Sequence, residues 1–359
     1  MIRPPEYVLA IRPYVPGKPL EELERDLGIG NSVKLASNEN PVGPSPAAVD
    51  AVGKALSGIN RYPDGSGYYL KKVLSKRLSV SEDEVILGNG SNELIDIAAR
   101  TFMTYGDEAV MATPSFVVYS MAVQSVGGVC VQVPLKDYMH DLDAMAAAVT
   151  PRTRMLFIAN PNNPTGTINR KDEFDRMMAK MPDNLIVVVD EAYFEYVSDP
   201  GYADSMKHLH SDRNVLILRT FSKMYGLAGL RLGYGVAKRE ILADMNRLRE
   251  PFNTNSIAQK AGIAALGDDE HLRRSREVNE SGKEYLYRRL GEMGMSYVPT
   301  EANFIYMPVA GAPALYEKLL RLGVIVRPMG PDSLRVTIGL PEENRRFIEA
   351  LARTAGDGR

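Results

Sequence analysis

Across residues 84–218, short apolar runs rich in β-branched side chains alternate with stretches of helical spacing. No other feature of the 359 residues limits the fold as much. Parallel strands need long crossover connections, usually helices, so this rhythm predicts a mostly parallel sheet covered by helices. Strands are expected at 84–87, 109–112, 129–133, 155–159, 185–190 and 215–218. The run Leu185-Ile-Val-Val-Val-Asp190 is the richest in strand formers and belongs at the centre. Helices are expected at 19–27, 46–57, 69–78 and from about 91 to 104, with another opened by Pro114-Ser115-Phe116. Beyond residue 240 the texture becomes long, charged and helical, at 240–249, 257–266 and 271–293. Strand-like pieces at 33–36, 296–298, 304–307 and 334–338, with a helix at 312–322, read as a smaller α+β unit. The division expected is an N-terminal segment (1–45) completing the small domain, a large domain (46–250) and a C-terminal small domain (251–359).

Open α/β sheets bind ligands at the carboxyl ends of their strands, and four clusters fall there. After the strand at 215–218 come Thr220, Ser222 and Lys223, then a glycine-rich turn carrying Arg231. A lysine so placed, among hydroxyls and a second cation, suits an anion and a reactive amine; a surface Ser-Lys turn is the plainer reading. Gly88-Asn89-Gly90, between a strand and a helix, suggests a phosphate cradle at a helix N-terminus. A dinucleotide fingerprint would need glycine where Glu93 stands, so a plain turn capped by Ser91 or Asn92 is the alternative. Asn160-Pro-Asn-Asn-Pro-Thr-Gly166 follows its strand as a rigid polar turn. Asp190 ends the most apolar strand, so its carboxylate leaves water and needs a cationic or hydrogen-bonded partner. An arginine brought from elsewhere or a protonated ring nitrogen would each serve.

Composition removes several function classes. A net charge of −2 gives no electrostatic case for nucleic acid or an acidic membrane. No apolar run approaches the roughly 20 residues that span a bilayer, and Met1-Ile-Arg-Pro-Pro lacks the apolar core of a signal peptide. One cysteine, Cys130, forms no internal disulfide; it reads as a small buried apolar residue, and a reducing, cytoplasmic compartment is expected. The four histidines, His140, His208, His210 and His271, form no ligand spacing; exposed positions and no metal site are expected.

An aldehyde-reactive lysine, an anion cradle and a carboxylate for a pyridinium nitrogen together describe one chemistry. The motifs A-S-N-E-N-P, R-Y-P, N-P-N-N-P-T-G, V-D-E-A-Y, R-T-F-S-K, G-L-A-G-L-R-L-G and L-R-V-T-I-G occur in that order, from about residue 14 to 339. On them the chain resembles the fold-type I pyridoxal-phosphate-dependent aminotransferases, most closely the members acting on histidinol phosphate. The resemblance implies a large α/β domain with a mostly parallel seven-stranded sheet, plus a smaller α+β domain. It implies pyridoxal 5'-phosphate as cofactor, held through a Schiff base on Lys223. Asp190 would pair with the ring nitrogen, and Tyr193 and Asn163 with the phenolic oxygen, while Phe116 stacks on the ring. Gly90, Ser91, Thr220, Ser222 and Arg231 would form the phosphate cup, assisted by Asn92. Tyr62 would reach the cofactor of a neighbouring subunit, making a homodimer with shared sites. Arg335 would fork onto the substrate anion, with Arg327, Tyr14 and Asn38 beside it. The partners implied are a small-molecule amino donor and a 2-oxo acid acceptor. The reaction implied is transamination of histidinol phosphate with 2-oxoglutarate. Aromatic amino acid transamination or decarboxylation of a phosphorylated amino acid are the alternatives on the same fold.

Overall fold

The computed structural model describes residues 2–356; the outer limits of the expected terminal segments, residue 1 and residues 357–359, lie outside the described residues. The N-terminal part contributes a short strand, β1 (Val33–Lys34). Then follow β2 (Val85–Gly88), β3 (Glu108–Thr113), β4 (Val129–Pro134), β5 (Thr153–Ala159), β6 (Ile186–Asp190), β7 (Asn214–Thr220) and β8 (Gly233–Ala237). These last make one seven-stranded sheet in the order β2-β8-β7-β6-β5-β3-β4, in which only β8 runs antiparallel to its neighbours.

Period-2 side-chain alternation sorts each strand between two cores. Val187, Val189, Val215, Ile217, Leu156 and Ile158 pack on one face. Ile186, Val188, Leu216, Leu218, Met155 and Phe157 pack on the other. Helices Pro46–Ala55, Tyr68–Leu78, Lys171–Lys180 and Ser256–Leu266 supply the first core. Helices Ser91–Phe102, Val118–Ser125 and Arg239–Met245 supply the second. With both faces covered, β6 is central and buried at every residue.

A second body of structure holds β9 (Phe304–Pro308), β10 (Val324–Ile325), β11 (Arg327–Pro328) and β12 (Ser333–Thr337). β12 lies between β11 and β9 in an antiparallel sheet, and β1 pairs in parallel with β10. Its core joins Leu35 from the N-terminal part to Leu286, Leu319, Val336 and Phe347.

Several sequence expectations need correction. The helix expected at Pro114 opens instead at Val118, because the polypeptide first turns across the end of β3. The expected strand at 296–298 is reduced to one bridge, Val298 to Tyr306. Helices Leu142–Ala147, Lys171–Lys180 and Pro341–Gly356 were not expected, nor was β8, whose Gly-Tyr-Gly-Val-Ala composition reads as turn. Burial overrides that low propensity, since all five β8 residues are enclosed between β2 and β7. Two of the histidines expected at the surface, His140 and His271, are buried; His208 is part-buried and only His210 is exposed. Cys130 is part-buried, and burial pushes its thiol up to about 11, which suits packing better than reactivity. Among the described residues no helix is long and apolar enough to cross a membrane, and no cluster of three or more His, Cys, Asp or Glu side chains could hold a metal ion.

Candidate active site

β2, β3, β5, β6 and β7 all end on the same edge of the large sheet, and their following turns converge on a cavity of about 190 Å³. Asp190, the last residue of β6, is 5% exposed. Its Oδ2 accepts a hydrogen bond from the Tyr119 hydroxyl at 2.8 Å, and its Oδ1 accepts from the Ala192 N–H at 3.1 Å. Burial pushes the carboxyl up to about 6 against the pull of those two donors; the Glu191 charge adds to the rise, and Lys223 opposes it. The partner that the sequence demanded is therefore a phenol, from a helix far away in the chain.

Lys223 sits in the turn after β7, and its amine donates to the Ser37 carbonyl at 3.1 Å. Removal from water, and then the Arg335 charge, bring it down to about 8, with Arg231 adding to the effect and Glu39 and Asp190 opposing it. With that proton affinity roughly a tenth of the amine is neutral at pH 7, a few hundred times more than for an ordinary lysine, and that fraction can act as nucleophile or general base.

The anion cradle stands at one end of the cavity. Helix Ser91–Phe102 points its free N–H groups and positive dipole end there. Gly90 turns into it at φ 77°, and a Cβ at this position would come within 2.5 Å of Arg231 Nη2. Arg231 Nη1 reaches the Ser222 hydroxyl at 3.4 Å, and the Ser222 N–H donates to Thr220 Oγ1 at 3.1 Å. Ser91, Asn92, Thr220, Ser222 and Arg231 all line the cavity. Phe116 forms a side wall and meets Tyr119 edge-on at 5.6 Å.

The opposite end belongs to Arg335 on β12, which is 9% exposed. Its Nη1 donates to Asn163 Oδ1 at 2.6 Å and its Nη2 to the Ala36 carbonyl at 2.7 Å. The Tyr193 hydroxyl accepts from Asn38 Nδ2 at 2.9 Å and lies 3.5 Å from Asn163 Nδ2. Tyr14 stands half-exposed on the cavity lining. Arg327 faces Arg335 in the β11–β12 register, so both side chains project from one face of the small sheet. Its guanidinium lies 5.4 Å from the Tyr14 ring centre and donates to the Val15 carbonyl at 2.7 Å, one strand outside the cavity lining. Tyr62 is 83% exposed, stacks on Phe252 and does not line the cavity of its own chain.

Sequence reasoning missed Tyr119 and the Ser37 carbonyl. It also missed the buried pair between Arg219 and Glu191, at 2.8 Å behind Asp190. Glu191 directly follows the aspartate, so a counter-cation for it was the one legible signal.

The aminotransferase class I and II family model matches residues 31–351. A histidinol-phosphate aminotransferase of Moorella thermoacetica is 51% identical over 352 residues, covering 96% of this chain and 91% of that protein. One from Methylobacillus flagellatus is 48% identical, covering 97% and 96%. Among solved structures, the histidinol-phosphate aminotransferase of Sinorhizobium meliloti in complex with pyridoxal-5'-phosphate superposes with a TM-score of 0.91 at 26% identity, covering 98% of this chain and 97% of that one.

The lowered proton affinity of Lys223 is open to direct titration. In protein freed of bound carbonyl compounds, acylation of Lys223 followed by peptide mass spectrometry should rise with a midpoint near pH 8, against the ordinary 10.5. Arg335→Leu should move that midpoint upward, because it removes a neighbouring positive charge. A wild-type midpoint near 10.5 would contradict the electrostatics described above.

Proposed function

The chain belongs to the class I and II aminotransferases, and we propose that it moves the amino group of histidinol phosphate to 2-oxoglutarate with pyridoxal 5'-phosphate as cofactor. The products are imidazole acetol phosphate and glutamate, a step of histidine biosynthesis. The near-full-length likeness to proteins named histidinol-phosphate aminotransferase carries the choice of substrate.

The residues fit the cofactor. A phosphate suits the cradle of Gly90, Ser91, Thr220, Ser222 and Arg231, with Asn92 at its rim, because N–H groups, hydroxyls and a guanidinium converge there. Asp190 would hold the ring nitrogen, Tyr193 and Asn163 the phenolic oxygen, and Phe116 would stack against the ring. When bound, the group supplies an aldehyde for the substrate amine and a ring that draws electron density from the substrate's Cα.

The chain's own residues then divide the work. Lys223 Nζ takes up and releases the Cα proton, a role its low proton affinity allows near neutral pH. Asp190 would accept from the ring nitrogen and favour its protonated form. Arg335 binds the anionic end of each substrate, since a guanidinium fork fits carboxylate and phosphate alike. A phosphate with close to two negative charges calls for a second cation, which we assign to Arg327, with Tyr14 donating beside it and Asn38 orienting Tyr193.

The same proposal includes the setting of the enzyme: a cytoplasmic homodimer in which Tyr62 of one subunit completes the phosphate cup of the other. The exposure of Tyr62, away from the cavity of its own chain, supports that part of the reading. So do two exposed apolar neighbours, Phe252 stacked on its ring and Ile59 on the same surface. The large domain expected at 46–250, whose core also takes in helix Ser256–Leu266, and the small domain formed by the N-terminal segment with the rest of the C-terminal part would close on the substrate between them.

Two measurements test these assignments. With histidinol phosphate as donor and glutamate formation as readout, Arg327→Ala should lower kcat/KM by roughly 2–3 kcal/mol, the scale of a lost contact to a charged group. Phenylalanine as donor should lose much less, and equal losses on both would remove Arg327 from phosphate recognition. For the shared site, mixing inactive Tyr62→Ala with inactive Lys223→Ala should restore activity once subunits have exchanged, because each mixed dimer keeps one intact site. Activity no higher than that of the separate variants would exclude the exchange of Tyr62.

A further inference from the structure

Asp190 has a neighbour that lies in none of the seven sequence motifs quoted above. Tyr119, on helix Val118–Ser125, is 1% exposed. Its ring stacks on Phe157 of β5 at 4.9 Å with planes 13° apart, and Phe116 meets it edge-on. With its ring held by these two contacts, its hydroxyl donates to Asp190 Oδ2 at 2.8 Å.

The surroundings make that bond consequential. The titratable groups round Asp190 are Tyr119, Tyr193, Glu191 and Lys223. Arg219 pairs with Glu191 and offsets its charge. The direct donors to the Asp190 carboxylate are two neutral groups, the Tyr119 hydroxyl and the Ala192 N–H. A neutral donor bonded to an anion favours the anion, while burial favours the acid. The phenol is pushed well above its ordinary range by burial and by Asp190, so it keeps its proton and remains a donor wherever the protein is folded.

We propose that Tyr119 is a positioning residue for Asp190: its phenol pins one carboxylate oxygen and holds the group as an anion, turned to accept from the ring nitrogen of the cofactor. The purpose of this device rests on the cofactor reading above. The coupling between Tyr119 and Asp190 does not, because it acts in the chain alone.

The test follows the Asp190 carboxyl in the full-length, cofactor-free protein. Aspartate labelled with 13C at the carboxyl carbon is used, and the Asp190 signal is the one missing from Asp190→Asn. The wild-type midpoint is expected near pH 6. Tyr119→Phe keeps the stacked ring and removes the donor, so the midpoint should rise by about 1–2 pH units. Placing 3,5-difluorotyrosine at position 119 strengthens the donor and should move the midpoint the opposite way; this arm decides the matter if Tyr119→Phe does not fold. A residue that only fills space would give neither shift, and an unmoved midpoint in the folded variants overturns the proposal.

Stability provides an independent sign. A carboxyl raised in the folded state contributes stability that is fully present below the unfolded value and lost as pH rises through the folded one. Between pH 4 and 7 the stability difference between wild type and Asp190→Asn isolates this group, and it should fall up to about pH 6; in the Tyr119→Phe background the same difference should go on falling to higher pH. In a second arm, pyridoxal 5'-phosphate should dissociate from Tyr119→Phe roughly tenfold more readily than from the wild type. No uptake by the wild type, with the carboxyl shift intact, would overturn the cofactor reading and leave the Tyr119–Asp190 coupling standing.

Discussion

A carboxylate withdrawn from water at the end of the central strand is the constraint on which the rest of the site depends. β6 lies in the middle of the large sheet with helices packed on both faces, so Asp190 is withdrawn from water except where it lines the cavity. A buried, unpaired carboxylate is costly enough that it either finds donors or takes up a proton. Here both tendencies operate: Tyr119 and the Ala192 N–H hold the ion, and burial still pushes the group up to about 6. Lys223 stands under the opposite pressure, brought down to about 8. The two values are brought towards each other while both groups stay mainly charged at neutral pH, and the sheet's parallel register puts both on one edge.

The second dependency is the segment at residues 36–43, which ties the small sheet to the lysine turn. Arg335 donates to the Ala36 carbonyl, Lys223 to the Ser37 carbonyl, and Asn40 Nδ2 to the Met224 carbonyl at 2.7 Å. Asn38 spans Tyr193 on one side and Thr337 of β12 on the other. The fit is tightest at Gly226, where φ is +68° and a Cβ would come within 2.1 Å of the Gly43 carbonyl oxygen. Arg335 and Lys223 thus rest on neighbouring carbonyls of one short segment. A shift of Arg335 would be felt at Lys223 through geometry as well as charge.

Much of this was legible in the residues. The alternation of strands and helices identified the large sheet, and the β-branched run ending in Asp190 identified its centre. Local chemistry pointed to the turns at Gly90, Asn163 and Ser222 because glycine, proline and hydroxyl side chains have few other uses after a strand. What was not legible came from long-range placement. Tyr119 lies far from Asp190 in sequence, and its helix reads as ordinary apolar packing. The Ser37 carbonyl has no side-chain signature, since any residue could supply it. β8 was hidden because its glycines suit close packing inside a sheet as well as they suit a turn. His140 and His271 were expected outside because an imidazole without a recognisable partner reads as solvated, yet burial brings His140 down to about 4, where it packs as a neutral ring.

The central claim is that Lys223 is the amine that meets the cofactor's aldehyde. Purified protein would be incubated with pyridoxal 5'-phosphate, reduced with borohydride to trap any carbon–nitrogen double bond, digested and mapped by mass spectrometry. The account requires the phosphopyridoxyl group on the peptide containing Lys223, and its loss from that peptide in Lys223→Ala with no other lysine taking it up to the same extent. Labelling spread over other lysines, unchanged in Lys223→Ala, would contradict it.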